Sequence, residues 1–420
     1  MDAVHNKTVA FHTLGCKLNY SETSTLSRLL ENEGFGKATF EEHADVYVIN
    51  TCSVTENADK ECRHLVRRIQ RRAPESLVVI TGCYAQLKPA AIASIPGVDL
   101  VLGAAEKFNI VQHLKDLSKG DATKICSCDI EDVNVFTASW SLTDRTRTFL
   151  KVQDGCDYNC SFCTIPMARG RSRSESIAVT VANVRRLAAE GTVKEIVLTG
   201  VNLGDFGRGE ENFFGLMQEL EKVDGIDRYR ISSIEPNLLT PEMIEWVAGS
   251  SKFMPHVHIP LQSGSNKILG SMRRRYKKEL YAERVELIRK LMPHCAIGVD
   301  VIVGFPGETE EDFRETFEFL QELDISYLHV FTYSERDNTR ALEIKPVVAN
   351  GARFERNKRL RSLSWEKMQS FTQRHSGQTR PVLFEGHVTG EFMDGYTDNY
   401  IKITTPYRPE WVNRIVDWKL

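Results

Sequence analysis

The 420-residue sequence contains no run approaching the roughly 18 uninterrupted apolar residues that a membrane-spanning helix needs. Its first residues, MDAVHNKTVAF, lack the charged-then-apolar pattern of a secretory leader. Together these absences predict a cytoplasmic protein with no membrane partner. Tandem repeats and low-complexity tracts are also missing, so the length predicts two to three folded domains at about 100–200 residues each. Neither sign of charge prevails. A net charge of −3 gives no notice of a nucleic-acid partner, although basic residues cluster locally. Ten cysteines in a large chain without a leader argue against a disulfide framework and call for a metal or redox role. The most compact group, GCDYNCSFC at 155–163, spaces three cysteines C-x3-C-x2-C with no fourth nearby. Structural zinc and iron–sulfur sites usually take four protein ligands.

Residues 5–118 alternate β-rich runs with helical patterns, the signature of a parallel α/β domain. The runs TVAFHTLGC, DVYVINTC and LVVITGC end in Cys16, Cys52 and Cys83. Ligands of an open α/β sheet collect beyond the carboxyl ends of its strands, so these three can meet at one edge although they lie far apart in sequence. Residues 119–146 read as an irregular connector. Over 147–375 the alternation resumes with FLKVQDGC, EIVLTG, RYRISSIEP, HVHIPLQSG, GVDVIVGFPGE and YLHVFTYSE. Six β/α units predict a partial (β/α)6 barrel of TIM-like type, whose chemistry lies on the loops after the strands. GCDYNCSFC directly follows the first strand. A long charged helix is expected over 347–375, with Leu360, Leu363 and Met368 on its apolar side and a stop at Ser376-Gly377. PVLFEGHVTG, GYTDNYIKITT and NRIVDWKL then predict a small all-β barrel over 376–420. The fold class is α/β multidomain.

Three thiolates on a four-iron cluster leave one iron with an open coordination position, as open positions distinguish catalytic from structural metal sites. The competing readings of Cys156, Cys160 and Cys163 are a zinc site with a distant fourth ligand, or buried free thiols. A single cysteine at a strand end, taken alone, is better read as a small apolar side chain.

The C-x3-C-x2-C loop resembles that of the radical S-adenosylmethionine (SAM) enzymes. GCKLNYSET around Cys16, NTCSV around Cys52, TGCYAQ around Cys83 and GCDYNCSFCTIPMARGRSRS narrow the resemblance to the methylthiotransferases, which attach a methylthio group to a tRNA base or a ribosomal protein. GCKLN followed by Ser-Glu-Thr looks most like the branch that acts on N6-threonylcarbamoyladenosine (t6A) at position 37, 3′ of the anticodon. The resemblance implies two four-iron clusters, with Cys156, Cys160 and Cys163 holding the one that binds SAM. Cys16, Cys52 and Cys83 would hold an auxiliary cluster that carries the sulfur. It also implies that the C-terminal barrel is the RNA-binding module called TRAM. One SAM would yield the radical that takes hydrogen from C2 of adenine, and a second would donate methyl. The implied partners are tRNA bearing t6A and an electron-donor protein; no stable protein partner is evident. Cys62, Cys126, Cys128 and Cys295 stand outside the matching motifs and read as non-ligands.

For SAM, the resemblance points to Phe162 in the cluster loop and to Thr199-Gly200-Val201-Asn202. There Gly200 would admit close backbone approach and Asn202 would hydrogen-bond an amino or carboxylate group. It points as well to Ser233 and Glu235 in SSIEP, to Gln262 in PLQSGS and to Gly304 in GVDVIVGFPGET. Each segment is also an ordinary strand-end turn or helix cap. Of Arg169, Arg171 and Arg173, one is a candidate for the carboxylate of SAM or of the threonyl group, against a solvated basic turn. For RNA, ECRHLVRRIQRRAP stacks Arg63, Arg67 and Arg71 on one helical stripe and Arg68 and Arg72 on the next. Such repulsion a polyanion relieves. SMRRRYKK with Tyr276 is a second basic cluster, which reads equally as a phosphate-and-base contact and as a solvated helix face. The rival readings keep the chemistry and change the target to isopentenyladenosine or a ribosomal-protein aspartate, or drop the chemistry for a non-catalytic RNA-binding iron–sulfur protein.

Overall fold

Residues 7–52, 56–142, 146–207 and 209–420 are described in a computed structural model. Ser53 and Val54 of the NTCSV motif lie outside them, as do residues 5 and 6 at the start of the expected first domain. Six strands, β1 (Thr8–Thr13), β2 (Gly36–Ala38), β3 (Val46–Thr51), β4 (Leu77–Gly82), β5 (Leu100–Leu102) and β6 (Lys124–Cys126), form one sheet in the order β2-β1-β3-β4-β5-β6. Every pairing is parallel. VYVINT and LVVITG are buried at every position, because helices cover both faces and continuous apolar runs suit such a sheet. One of these helices, α1 (Lys17–Asn32), starts directly after Cys16, and α2 (Glu56–Arg72) follows β3.

The expected connector supplies strands to both neighbours. Besides β6, it forms β7 (Ser139–Trp140), which pairs antiparallel with β8 (Arg147–Lys151). A two-residue ribbon follows, of β9 (Gln153–Asp154) and β10 (Arg173–Ser174). Then come the remaining parallel strands of a partial barrel: β11 (Glu195–Thr199), β12 (Arg228–Ile231), β13 (His256–Gln262), β14 (Ala296–Val303) and β15 (Tyr327–Thr332). They form two sheets, β12-β11-β8-β7 and β13-β14-β15, which meet through a bridge between Tyr229 and Phe253. Leu150, Ile196, Leu198, Ile259, Val299 and Val301 pack outward against the helices. The alternate residues, among them Arg147, Glu195, Arg230, His258 and Asp300, face the interior, as the two-residue strand period requires.

The long helix runs from Asn350 to Arg374. Leu360 and Leu363 are buried as expected, but Met368 is 45 % exposed beside Trp365 and Phe354. At 100° per residue Met368 falls about 140° from Leu363, and Phe371 takes the inner position instead. The chain ends in an antiparallel sheet of β16 (Thr379–Thr389), β17 (Phe392–Thr397), β18 (Lys402–Pro406) and β19 (Ile415–Lys419), ordered β18-β17-β16-β19. Its Tyr400 stacks on His256 at 4.1 Å between ring centroids, closing the barrel at the start of β13.

Candidate functional site

Three strand ends of the first sheet carry Cys16, Cys52 and Cys83, and they are stitched together by backbone capture. The Asn19 amide donates to the Leu14 carbonyl at 2.9 Å and to the Thr51 carbonyl at 3.0 Å, and the Thr51 hydroxyl donates to the Thr81 carbonyl. The ends also approach closely. A Cβ on Gly15 would stand 2.6 Å from Cys52 Cβ, and one on Gly82 would stand 2.3 Å from the Thr51 carbonyl oxygen, at φ of +99° and +96°. Only glycine fits there. Cys52 and Cys83 are buried while Cys16 opens to solvent. Burial pushes the Cys83 thiol up, and Arg169 acts in the opposite sense.

The second triad sits on the loop after β8 and β9. Each thiol accepts a hydrogen bond: Cys156 from the Tyr158 amide and Cys163 from the Ile165 amide, both at 3.4 Å, and Cys160 from Arg274 at 3.1 Å. Burial raises Cys156 and Cys163 to about 12. As free thiols they stay protonated at neutral pH, and a metal must displace those protons. Sequence reasoning missed Arg274, which lay in a basic run open to two readings, an RNA contact or a solvated helix face. Arg274 is ion-paired with Glu235 and bonded to Tyr276, and the Tyr276 hydroxyl donates to the Pro260 and Leu261 carbonyls. Tyr276 is therefore unable to stack on a base. Arg275 lies over the Tyr158 ring at 4.0 Å, so much of SMRRRYKK braces the cysteine loop.

The other expected SAM contacts surround this loop in different ways. Phe162 packs against Phe305. The space Gly200 leaves is taken by Gln153, whose Oε1 accepts from the Val201 and Asn202 amides at 2.9 and 3.0 Å. The space at Gly304 is taken by the Arg353 stem. Gln262 ends β13 at φ +70°, and the Ser233 carbonyl accepts from the Leu203 amide. Two buried side-chain oxygens on the β11 loop, Thr199 Oγ1 and Asn202 Oδ1, have no hydrogen-bond partner among the described residues. Buried polar atoms are rarely left so, and both suit a ligand with N–H or O–H donors.

Between the triads lies a buried charge network. Glu22 of α1, with no exposure, accepts from Lys107 at 2.6 Å, from Lys151 at 3.1 Å and from Arg169 at 3.1 and 3.2 Å. Asp154 takes Arg169 at 2.8 Å and Arg173 at 3.5 Å. Arg169 and Arg173 are thus committed within the protein and leave Arg171 exposed. Burial alone would raise the Glu22 carboxyl, but Arg169, Lys107 and Lys151 hold it well below its ordinary range. Four cations face two carboxylates. Three thiolates and a cationic surround form a donor set that fits an anionic iron–sulfur cluster. The second triad, with an amide or guanidinium on each sulfur, fits one equally.

Beyond Cys16 a cavity of about 320 Å³ opens into the barrel, lined by Lys17, Tyr20, Arg147, Phe149, Arg230 and Tyr400 among others. Arg230 binds Glu195 at 2.9 and 3.1 Å, and Arg147 binds Glu385 at 2.9 Å. The local potential is positive. Burial and then Arg230 and Lys17 push His256 well below its ordinary value. Burial would raise the Tyr400 phenol, but Lys17 and Arg147, with Arg230, lower it. On β13, β14 and β15, His258, Asp300 and His329 bring ligand atoms within 4.8 Å of one another.

Comparison with known proteins agrees with this arrangement. The profile described as "Uncharacterized protein family UPF0004" matches residues 8–103, and that of the radical SAM superfamily matches 150–320. The chain is 40 % identical, over 98 % of its length and 93 % of the relative's, to threonylcarbamoyladenosine tRNA methylthiotransferase MtaB of Bacillus subtilis. The chain belongs to the radical SAM methylthiotransferase family. It is 32 % identical, over 89 % of its length and 85 % of the relative's, to a tRNA-2-methylthio-N(6)-dimethylallyladenosine synthase of Clostridium botulinum. Among solved structures, the radical SAM methyltransferase TsrM of Kitasatospora setae superposes with a TM-score of 0.56 at 18 % identity. That match covers 78 % of this chain and 75 % of that one, and it bears on the fold alone.

The expected RNA-gripping helix of this methylthiotransferase divides in two. It begins at Glu56, nearer Cys52 than the basic run suggests. Arg68 and Arg72 turn inward, pairing with Glu41 at 2.8 and 3.4 Å and lying over the Phe40 ring. Arg63, Arg67 and Arg71 form the other stripe and have no ion-paired partner among the described residues. Of the remaining cysteines, Cys62 and Cys295 have no exposure and sit in apolar clusters. Cys126 approaches His113 Nδ1 at 3.6 Å. No helix among the described residues is long and apolar enough to cross a membrane.

Proposed function

We propose that this methylthiotransferase modifies tRNA, converting N6-threonylcarbamoyladenosine to its 2-methylthio derivative. The observation that carries the reading is the pair of three-cysteine sets at strand ends of two adjoining sheets. In this reading Cys156, Cys160 and Cys163 hold one four-iron cluster and Cys16, Cys52 and Cys83 hold the other. Bound there, the clusters and SAM supply radical chemistry, sulfur and methyl. The chain's own residues do the rest. Thr199 Oγ1 and Asn202 Oδ1 accept from the amino end of SAM, Phe162 walls its site, and Ser233 and Gln262 border it. Glu235 fixes Arg274 against Cys160, and the room near Gly304 is shaped by Arg353. The three-unit division, with N-terminal, barrel and C-terminal parts over 5–118, 147–375 and 376–420, is part of the same proposal. So are a TRAM-like role in RNA binding for the last unit and an electron-donor protein as partner.

The test is anaerobic. Clusters are reconstituted, and SAM, a reductant and tRNA carrying either t6A or isopentenyladenosine are added; the digested nucleosides are then weighed. A methylthio gain on the t6A nucleoside alone is expected. A gain on isopentenyladenosine alone, or SAM cleavage with no gain on either, would refute the substrate.

A further inference from the structure

The cavity beyond Cys16 contains a cation with no hydrogen-bonded or ion-paired partner among the described residues, although Tyr400 and Asp300 attract it at longer range. Three cations line it, and two are accounted for: Arg147 by Glu385 and Arg230 by Glu195. The third, Lys17, forms neither hydrogen bond nor ion pair with any described residue. It stands at the first position of α1, adjoining Cys16, so the two Cα atoms are about 3.8 Å apart. Tyr20, Phe149 and Tyr400 give the same cavity aromatic walls. Its volume of about 320 Å³ falls within the range of roughly 300–1,000 Å³ typical of small-ligand sites.

We infer that Lys17 is a specificity-determining residue that binds the carboxylate of the substrate's threonylcarbamoyl group within this cavity. The inference rests on the substrate reading above. In that reading Cys16 is a ligand of the cluster that delivers sulfur, so a cation next to it in a cavity adjoins the place where the base must react, and t6A brings an anion on its N6 substituent. An isopentenyl group brings none. A polar site left unpaired by an apolar analogue discriminates far better than a pocket that merely lacks a methylene, so an unpaired lysine rejects isopentenyladenosine as it accepts t6A. The carboxylate of SAM shares this chemistry, and the experiment separates the two sources.

The assay compares anaerobic binding to cluster-loaded protein of two otherwise identical tRNAs, one with t6A and one with unmodified adenosine at position 37. SAM affinity is measured in parallel, for wild type, Lys17→Met and Lys17→Arg. The wild type should prefer the t6A tRNA, and Lys17→Met should reduce that preference roughly 10- to 100-fold, the worth of a hydrogen bond to a charged group. Lys17→Arg should restore most of it, because a guanidinium also binds carboxylate; a merely structural lysine would not give that pattern. An undiminished preference in Lys17→Met overturns the inference. So does a loss of SAM affinity with the tRNA preference intact, which would assign the lysine to the methionine carboxylate. A wild type that modifies isopentenyladenosine and not t6A overturns the substrate reading itself.

Discussion

Glu22→Gln isolates the contribution of the buried charge network. Glu22 has no exposed surface and holds three cations, of which Lys107 comes from a short turn of 3-10 helix after β5 while Lys151 and Arg169 come from β8 and the helix turn that follows the cysteine loop. Glutamine keeps the shape and removes the charge, leaving Asp154 as the remaining carboxylate for four cations. Breaking a buried pair on one side costs about 3–5 kcal/mol, because the survivors remain desolvated. At 1.4 kcal/mol per decade this is roughly 10²- to 4 × 10³-fold in a local opening equilibrium. Multidomain unfolding is rarely two-state, so the suitable assay is hydrogen exchange of α1 and of residues 147–174. Those amides should lose protection by that factor, while α2 keeps most of its own. Glu41→Gln is the comparison, since its pairs with Arg68 and Arg72 involve a carboxylate 71 % exposed and exposed pairs contribute at most about 1 kcal/mol. Glu22→Gln protection within tenfold of wild type would refute the reasoning.

The same carboxylate predicts a pH dependence. Its folded pKa is depressed, so its contribution is complete above the ordinary value of 4.5 and is lost as pH falls below that; the protection of α1 amides, taken relative to their intrinsic exchange rates, should fall there and stay flat from pH 6 to 8. Replacing Arg63, Arg67 and Arg71 by Ala should weaken tRNA binding and flatten its salt dependence by about two to three units of log–log slope. Replacing Arg68 and Arg72 should instead loosen α2 against Phe40, seen as faster exchange with an unaltered salt slope. Substituting Cys156, Cys160 and Cys163 by Ala should remove about half the iron that anaerobic reconstitution delivers, and full iron would exclude the triad as a ligand set. Arg274→Met removes a hydrogen-bond donor and a positive charge from Cys160. It should lower the reduction potential measured by redox titration, because donors to sulfur favour the reduced cluster.

Cysteine spacing and strand-end placement were readable because they depend on local periodicity and on a topological rule that parallel sheets obey. Alternating β-rich and helical runs located β1, β3 and β4, and with them Cys16, Cys52 and Cys83. What sequence did not reveal was which polar residues the protein would consume internally. Asn19 looked like part of a motif, yet its amide ties two strand ends together. Arg169 and Arg274 looked like solvent-facing or ligand-facing cations, and both are buried in ion pairs. Helical spacing showed that Arg63 and Arg68 lie on different stripes, but not that Glu41 and Phe40, from another segment, would cover one of them. β6 was missed for a related reason: KIC is too short for a periodic signal, and its register comes from β5.

The placement of the charged residues bears on how the two triads keep their relation. They sit on separate sheets, and an apolar interface between the sheets would tolerate sliding, since dispersion contacts are weak individually and have little direction. Hydrogen-bonded ion pairs are directional, and a buried cation without its partner costs several kcal/mol. Displacing α1 by one hydrogen-bond length would strand Lys107, Lys151 and Arg169 at once. The network therefore gives up stability that an apolar interface would supply and gains one defined register between Cys16 and the Cys156 loop. Replacing Glu22, Lys107, Lys151 and Arg169 together by apolar residues of similar volume, which leaves Asp154 paired with Arg173, should by this logic cost less stability than Glu22→Gln alone. The separation between spin labels placed on the outer faces of α1 and the helix Ile177–Ala189 should nevertheless broaden. A quadruple variant with an equally narrow distance distribution would show that apolar packing alone sets the register.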